Sequence, residues 1–180
     1  LVTAGAGPAV VAILQDPATA GHAHQVGIGG RFRRAIGAGS ACDGERPFEA
    51  DFIVEALSDG RFDCSGEMYA GAHTDLGPMA CLKVAAGAGE VRVIVGSHRF
   101  QCLDLAILRH LGLRPEAQRI IGVKSTVHFR ADFAHIAGKI LTVDSPGANP
   151  CRLAQVPFRR LRPGLRLGPL GPVFGAEAIY

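Results

Sequence analysis

The rhythm of apolar and polar positions changes three times along this chain, and each rhythm predicts a different element. The run Pro8 to Leu14 (PAVVAIL) is short and continuously apolar, the pattern of a strand covered on both faces. Asp16-Pro17 then predicts a helix through about Gln25, with Asp16 as N-cap and Pro17 at the first helical position, where its missing N–H costs nothing. Gly5-Ala6-Gly7 reads as the end of a helix that begins upstream, which makes residues 1–7 a tail to the domain proper.

In the middle the pattern turns β-rich. FEADFIVEAL and RFDCSGEMY flank Ser58-Asp59-Gly60, a turn signal that predicts a hairpin. MACLKVA and EVRVIVGS flank Gly87-Ala88-Gly89 and predict a second. Val91, Val93 and Val95 alternate with Arg92 and Ile94, as in a strand with one covered and one mixed face.

The third rhythm is again an alternation of helix and strand. A helix is expected near residues 103–111, ended by Gly112, then a strand at 119–124, a helix at about 126–137 and a strand at 140–144 (ILTVD). Strands joined through helices favour right-handed parallel crossovers. From Ser145-Pro146-Gly147 onward proline, glycine and arginine dominate, and irregular chain that wraps the domain or frays is expected. The fold class is therefore α+β with α/β character: a mixed sheet with two central β-hairpins and flanking βα units, a domain over residues 8–162 and an irregular tail over 163–180.

Composition narrows the function classes. At 180 residues, 48% hydrophobic and 19% charged, the chain is globular and long enough to bury roughly two thirds of its unfolded surface. No apolar run approaches the roughly 20 residues of a membrane span. A net charge of +3 does not indicate a nucleic-acid partner. The basic cluster of Arg152, Arg159, Arg160, Arg162 and Arg166 has only Phe158 and Phe174 nearby, not interleaved as a stacking platform requires. Five cysteines (Cys42, Cys64, Cys81, Cys102, Cys151) without a CxxC pair read as reduced, mostly buried thiols of a cytoplasmic protein. The chain opens on neither a signal peptide nor a methionine and reads as a fragment.

The candidate chemistry lies in GVKSTVHFRADF, residues 122–133. An apolar strand here runs straight into Lys124, Ser125, Thr126, His128 and Arg130. In open α/β sheets ligands bind beyond the carboxyl ends of parallel strands, beside the helix starts that follow. Lys124 and Ser125 belong at that edge, and His128 and Arg130 in the first turns beyond it. Asp144, ending the next expected strand, belongs on the same rim as a partner for Arg130 or Lys124. The structural alternative is that Ser125 or Thr126 caps the helix, Val127 and Phe129 pack, and His128 and Arg130 are solvated. Cations near a helix N-terminus cost from a few tenths up to about 1 kcal/mol, so three of them there need compensation, which favours a functional cluster.

Other signals are weaker. His22 and His24 are two apart on a helix and face different ways, against joint metal ligation. His73 and Asp75 show no partner at ligand spacing. GIGG at 27–30 lacks the dinucleotide spacing and reads as a bulge or close packing. No GxSxG, HExxH or P-loop occurs, and these residues carry no self-sufficient catalytic constellation or metal site.

The stretches LSDGRF, SGEMYAGAHTDLGPMACLKV, RVIVGSHRFQCLDLAILRHLGLRPEAQRIIGVKSTVHFRADF and VDSPG, with AGAGPAVVAILQDPATAGHAHQVGIGG upstream, resemble the C-terminal domain of the MlrC family. These are the microcystinase C-like metallopeptidases of peptidase family M81. The resemblance runs over roughly residues 4–162 and is most specific in VKSTVHFR and SHRFQCLD; the ending after PFRRLRP departs from it. It implies a zinc-dependent hydrolase whose ligands lie in a larger N-terminal α/β domain, with a peptide or small amide substrate. It further implies that Lys124, Ser125, His128 and Arg130 face the cleft towards that domain, with Thr126 and Asp144 in support. In that position Arg130 would bind a substrate carboxylate through its planar fork, and His128 would donate to an oxyanion or hold the motif in shape. A non-catalytic anion- or small-molecule-binding module remains the rival, a purely structural domain is a weaker third reading, and a homo-oligomer is open.

Overall fold

The computed structural model describes residues 1–37, 47–87, 89–143 and 153–175. They fall into two compact units, one within Leu1–Gly39 and Arg46–Ile140, the other within Leu141–Tyr180.

The first unit is built on a six-stranded mixed sheet. Its strands are β1 (Ala9–Gln15), β2 (Arg31–Ile36), β3 (Phe48–Ser58), β6 (Met79–Val84), β7 (Val91–Gly96) and β8 (Ile120–Val123), in the order β2-β3-β6-β7-β1-β8. β1 lies between β7 and β8 and is parallel to both, whereas β2, β3, β6 and β7 form an antiparallel run. A separate two-stranded ribbon pairs β4 (Arg61–Asp63) with β5 (His73–Asp75).

The expected first strand and helix both form. Helix α1 (Pro17–Val26) starts where Asp16 accepts a hydrogen bond from Thr19 N at 2.9 Å, and Pro17 occupies its first turn. Ala20 and Ala23 on α1 pack over one sheet face, with Phe52, Val54, Leu82, Val93 and Val95. The opposite face, carrying Val10, Met79, Cys81 and Ile94, packs under Leu105, Ile107, Leu108 and Phe133. Val91, Val93 and Val95 thus share one core while Ile94 enters the other, and Arg92 is half-buried in a 2.6 Å ion pair with Glu55. Burial in this double core pushes the Cys81 and Cys102 thiols up to about 12, so neither is a ready thiolate.

Three expectations need correction. The β6–β7 hairpin forms, but β3 and β4 do not pair. Ser58 Oγ and Asp59 Oδ1 accept from Gly60 N and Arg61 N and make the sharp turn the sequence signals. That turn leads β4 out of the sheet, while the long strand β3 pairs with β2 and β6. The helix expected over 126–137 shrinks to α3 (Arg130–Phe133) and a 3-10 turn at Ala134–Ile136, with no side-chain cap. Asp132 is drawn instead onto Leu105 N, and Phe133 is anchored in the core. Residues 140–143 form no strand: Leu141 and Val143 are largely exposed, so burial gives them no reason to extend into the sheet. Asp144 lies outside the described residues.

Helix α2 (Ala106–Arg109) forms inside the expected 103–111 segment but ends at Arg109; the turn that follows closes at Gly112, whose N donates to Arg109 O and whose φ is 77°. GIGG is the α1–β2 connection, and a Cβ on Gly30 would lie 2.3 Å from Val26 Cγ1, which is the close packing foreseen there. In the second unit the chain is largely irregular, yet Gly164 to Phe174 folds back on itself around the antiparallel bridge Arg166–Val173.

His110 makes the core sensitive to acid. Its ring stacks on Phe62 at 4.4 Å, Nδ1 donates to Ala106 O at 2.9 Å, and Nε2 is buried without a partner among the described residues. Burial holds its pKa below the ordinary 6.5. The folded state then binds fewer protons than the unfolded one, so this stabilisation is complete above pH about 6.5 and is lost as pH falls towards the folded pKa. His110→Phe should keep the stack and flatten the decline of Tm between pH 7 and 5; an unchanged decline would assign it to other groups.

Candidate functional site

Strands β1, β7 and β8 run in the same direction; β1 and β7 end opposite each other at Gln15 and Gly96, and β8 ends at Val123, opposite Ala12. The residues that follow them form one edge. After β7 come Ser97, His98 and Arg99; after β8 come Lys124 and Ser125. Main-chain bonds lock the edge: Lys124 N donates to Ala12 O at 2.8 Å, Asp16 N to Gly96 O at 2.9 Å, and Cys102 N to Lys124 O at 3.2 Å.

Side chains join the two post-strand segments. Ser125 Oγ donates to Gln101 Oε1 at 3.2 Å, Lys124 Nζ to Phe100 O at 3.3 Å, and Arg99 Nε to Gln15 Oε1 at 3.4 Å. Ser125 therefore serves as a clasp rather than a helix cap. Val127, expected in the structural alternative to pack, is 61% exposed, while Phe129 packs against the second core with the Arg130 guanidinium 5.3 Å from its ring centre. Thr126, His128 and Arg130 are exposed. Among the described residues, Arg99, Lys124 and Arg130 have no carboxylate within ion-pair distance.

Two carboxylates fix the frame beneath. Asp104 is fully buried and accepts from Gly66 N and Ala106 N, each at 2.8 Å, while Asp132 accepts from Leu105 N. Gly66 sits between them, since a Cβ there would lie 2.7 Å from Asp132 Cγ and 3.1 Å from Asp104 Oδ2.

Beside the edge opens a cavity of about 260 Å³ lined by Tyr69, His73, Asp75, His98, Arg99 and Phe100. His73 Nδ1 is paired with Asp63, and His98 Nδ1 donates to Asp75 O at 3.2 Å. Asp75 is occupied by Arg61 at 3.1 Å and by Gly77 N at 2.9 Å, and the Gly77 amide, then Arg61, hold its carboxyl below the usual range. A larger cavity of about 480 Å³ lies under Leu111–Gln118; Arg92 there pairs with Glu55 and Glu90 takes Lys83 and Arg92 at 3.4 Å, while Arg114 in the lining has no carboxylate within ion-pair distance among the described residues.

A family profile described as MlrC C-terminus matches residues 1–160. The chain belongs to the MlrC C-terminal family. The MlrC-type domain is also similar to a crystal structure named "Putative metallopeptidase", from Mesorhizobium sp. BNC1, at 30% identity and a TM-score of 0.71. The match covers 86% of this chain and 30% of that one, so the MlrC-type domain spans well under half of that protein. No curated protein matches the chain.

Lys124 and Ser125 follow β8 directly, and His128 and Arg130 come a few residues later, both exposed. Sequence reasoning missed Gln15, His98 and Arg99 at the edge and Asp104 and Asp132 beneath it. His98, Arg99 and Asp104 lie within the SHRFQCLD block, which was the signal available. Elsewhere, His22 meets the Phe32 edge at 5.0 Å and His24 Nε2 donates to Met79 O at 3.1 Å. Among the described residues no helix is long and apolar enough to cross a membrane.

Proposed function

We propose that this MlrC-type domain is the substrate-side part of a metal-dependent hydrolase of peptide or other amide bonds, with zinc held by an N-terminal domain outside this chain. Support comes from the family, from the similarity to the Mesorhizobium protein, and above all from Arg99 and Lys124 in the adjoining segments after β7 and β8, with Arg130 a few residues on, none of the three within ion-pair distance of a carboxylate among the described residues. Cations without a carboxylate partner are available to receive an anionic group, and Lys124 is already steadied by its bond to Phe100 O.

The described residues do not fit a zinc ion. No group of three or more His, Cys, Asp or Glu gathers among them, and the thiols of Cys64, Cys81 and Cys102 are buried, with burial raising each pKa. What these residues supply is binding and orientation. In this reading Lys124 is a fixed point charge, Arg130 a planar fork for a carboxylate, Ser125 and Thr126 hydrogen-bonding groups, and His128 a donor to a developing oxyanion or a brace for the motif.

The test joins this chain to its native upstream sequence, determines zinc by elemental analysis and assays peptide hydrolysis. Stoichiometric zinc is expected. Arg130→Ala should lower kcat/KM by about tenfold to a hundredfold, the loss of one charge-assisted contact, with Tm unchanged. Absence of both metal and hydrolysis would overturn the reading in favour of the rival, an anion-binding module without chemistry, which draws on the same edge.

A further inference from the structure

We infer that the cavity between the β4–β5 ribbon and the segment after β7 is a subsite for a terminal carboxylate carried by an apolar residue. Its volume, about 260 Å³, lies just under the roughly 300–1,000 Å³ of sites that enclose a whole small molecule, so it accommodates one residue of a longer ligand. The lining divides into two chemistries. Tyr69, Leu76 and Phe100 offer apolar surface, and Arg99 offers guanidinium donors.

The electrostatics select the sign of the ligand. Asp75 is neutralised by Arg61 and Asp63 faces His73, so the acidic groups at this cavity are already engaged. Arg99 spends one donor on the neutral Gln15 at 3.4 Å, a long bond that a carboxylate would outcompete. Lys124, which is not part of the lining, holds its Nζ 3.3 Å from the main-chain oxygen of the lining residue Phe100 and has no carboxylate within ion-pair distance among the described residues. His98 is held by Nδ1 on a main-chain carbonyl, which fixes its ring against the cavity. An anion therefore meets the Arg99 guanidinium, with Lys124 close to the lining residue Phe100, while a cation meets carboxylates already paired.

The inference deepens the proposed hydrolase, and rests on that reading only in assigning the carboxylate to a substrate: such an enzyme would favour short peptides with a free C-terminus and an apolar final residue. Binding itself is a property of this chain and needs neither metal nor turnover. The probe is N-acetyl-phenylalanine, titrated into the labelled chain and followed by amide chemical shifts, with N-acetyl-phenylalanine amide as its neutral twin. The acid should bind at least tenfold more tightly than the amide, with shifts centred on residues 69–76 and 97–101. Arg99→Gln should erase that preference at constant Tm, and Tyr69→Ala should weaken acid and amide together. Equal binding of acid and amide, a preference that survives Arg99→Gln, or shifts confined to the cavity under Leu111–Gln118 would each overturn the assignment. Acid-selective binding in a protein whose full-length form hydrolyses nothing would sink the hydrolase and leave the subsite standing.

Discussion

Asp104→Ala is expected to lower Tm by about 6–12 °C, corresponding to a loss of about 3 kcal/mol at roughly 2–4 °C per kcal/mol for a chain of this size. The carboxylate is fully buried and accepts two main-chain bonds at 2.8 Å, from Gly66 and Ala106. Bonds to a charged group are worth about 1.5–3 kcal/mol each, and their removal leaves two amides with no acceptor in the core. Relief of repulsion from the neighbouring Asp132 carboxylate returns part of that loss, which is why the estimate stays near the lower end. Asp104→Asn should fall between, since its amide keeps one acceptor. The damage should also reach the cavity, because Gly66 begins the turn that carries Tyr69. Thermal melts of both variants check this, and a Tm change under about 2 °C for the alanine variant would mean that the Asp104 bonds contribute nothing net.

Gly60→Ala should cost at least about 3 kcal/mol. The residue has a φ of 83°, and a Cβ built on it would lie 2.0 Å from Gly77 O, which is backbone and has no flexible end to swing aside. Left-handed backbone costs an alanine only about 1–2 kcal/mol, so the remainder must come from forcing apart the two turns that carry β4 out of the sheet. Gly112 is the control: its φ of 77° is similar, but nothing lies within 4 Å of its Cβ position. Denaturant melts should show Gly60→Ala to be the more destabilised by about 2 kcal/mol, and equal losses would show that the turns yield freely.

The legible parts of the fold were those specified by neighbours in sequence. Asp16-Pro17 and Gly112 mark helix ends because capping is a local matter, and the alternation of Val91, Val93 and Val95 marks a strand because two faces with different burial demand it. Partner choice was not legible in the same way. Ser58-Asp59-Gly60 specifies a turn, but whether β3 pairs with the strand after that turn depends on β2 and β6 competing for its edges. The site shows the same division. Lys124 and Ser125 were found because β8 reads as a parallel strand with something beyond its end. His98 and Arg99 satisfy the same rule after β7, yet β7 reads as half of an antiparallel hairpin, and its parallel contact with β1 is a pairing across roughly eighty residues of chain. Asp104 and Asp132 were missed because a buried carboxylate and a solvated one look alike until their amide partners are known.

The place of β1 in the sheet also sets the order in which the molecule can be made. β1 precedes the other described strands in sequence yet lies between two of the latest, pairing with Val91–Gly96 on one side and Ile120–Val123 on the other. Local hairpins such as β6–β7 close early, but the centre of the sheet cannot close until β8 has emerged, and topologies dominated by such distant pairings fold slowly, in milliseconds to seconds. Until β7 emerges the apolar run from Ala9 to Leu14 lacks both of its strand partners, and until β8 emerges it lacks one, which makes it a segment in need of shielding during synthesis.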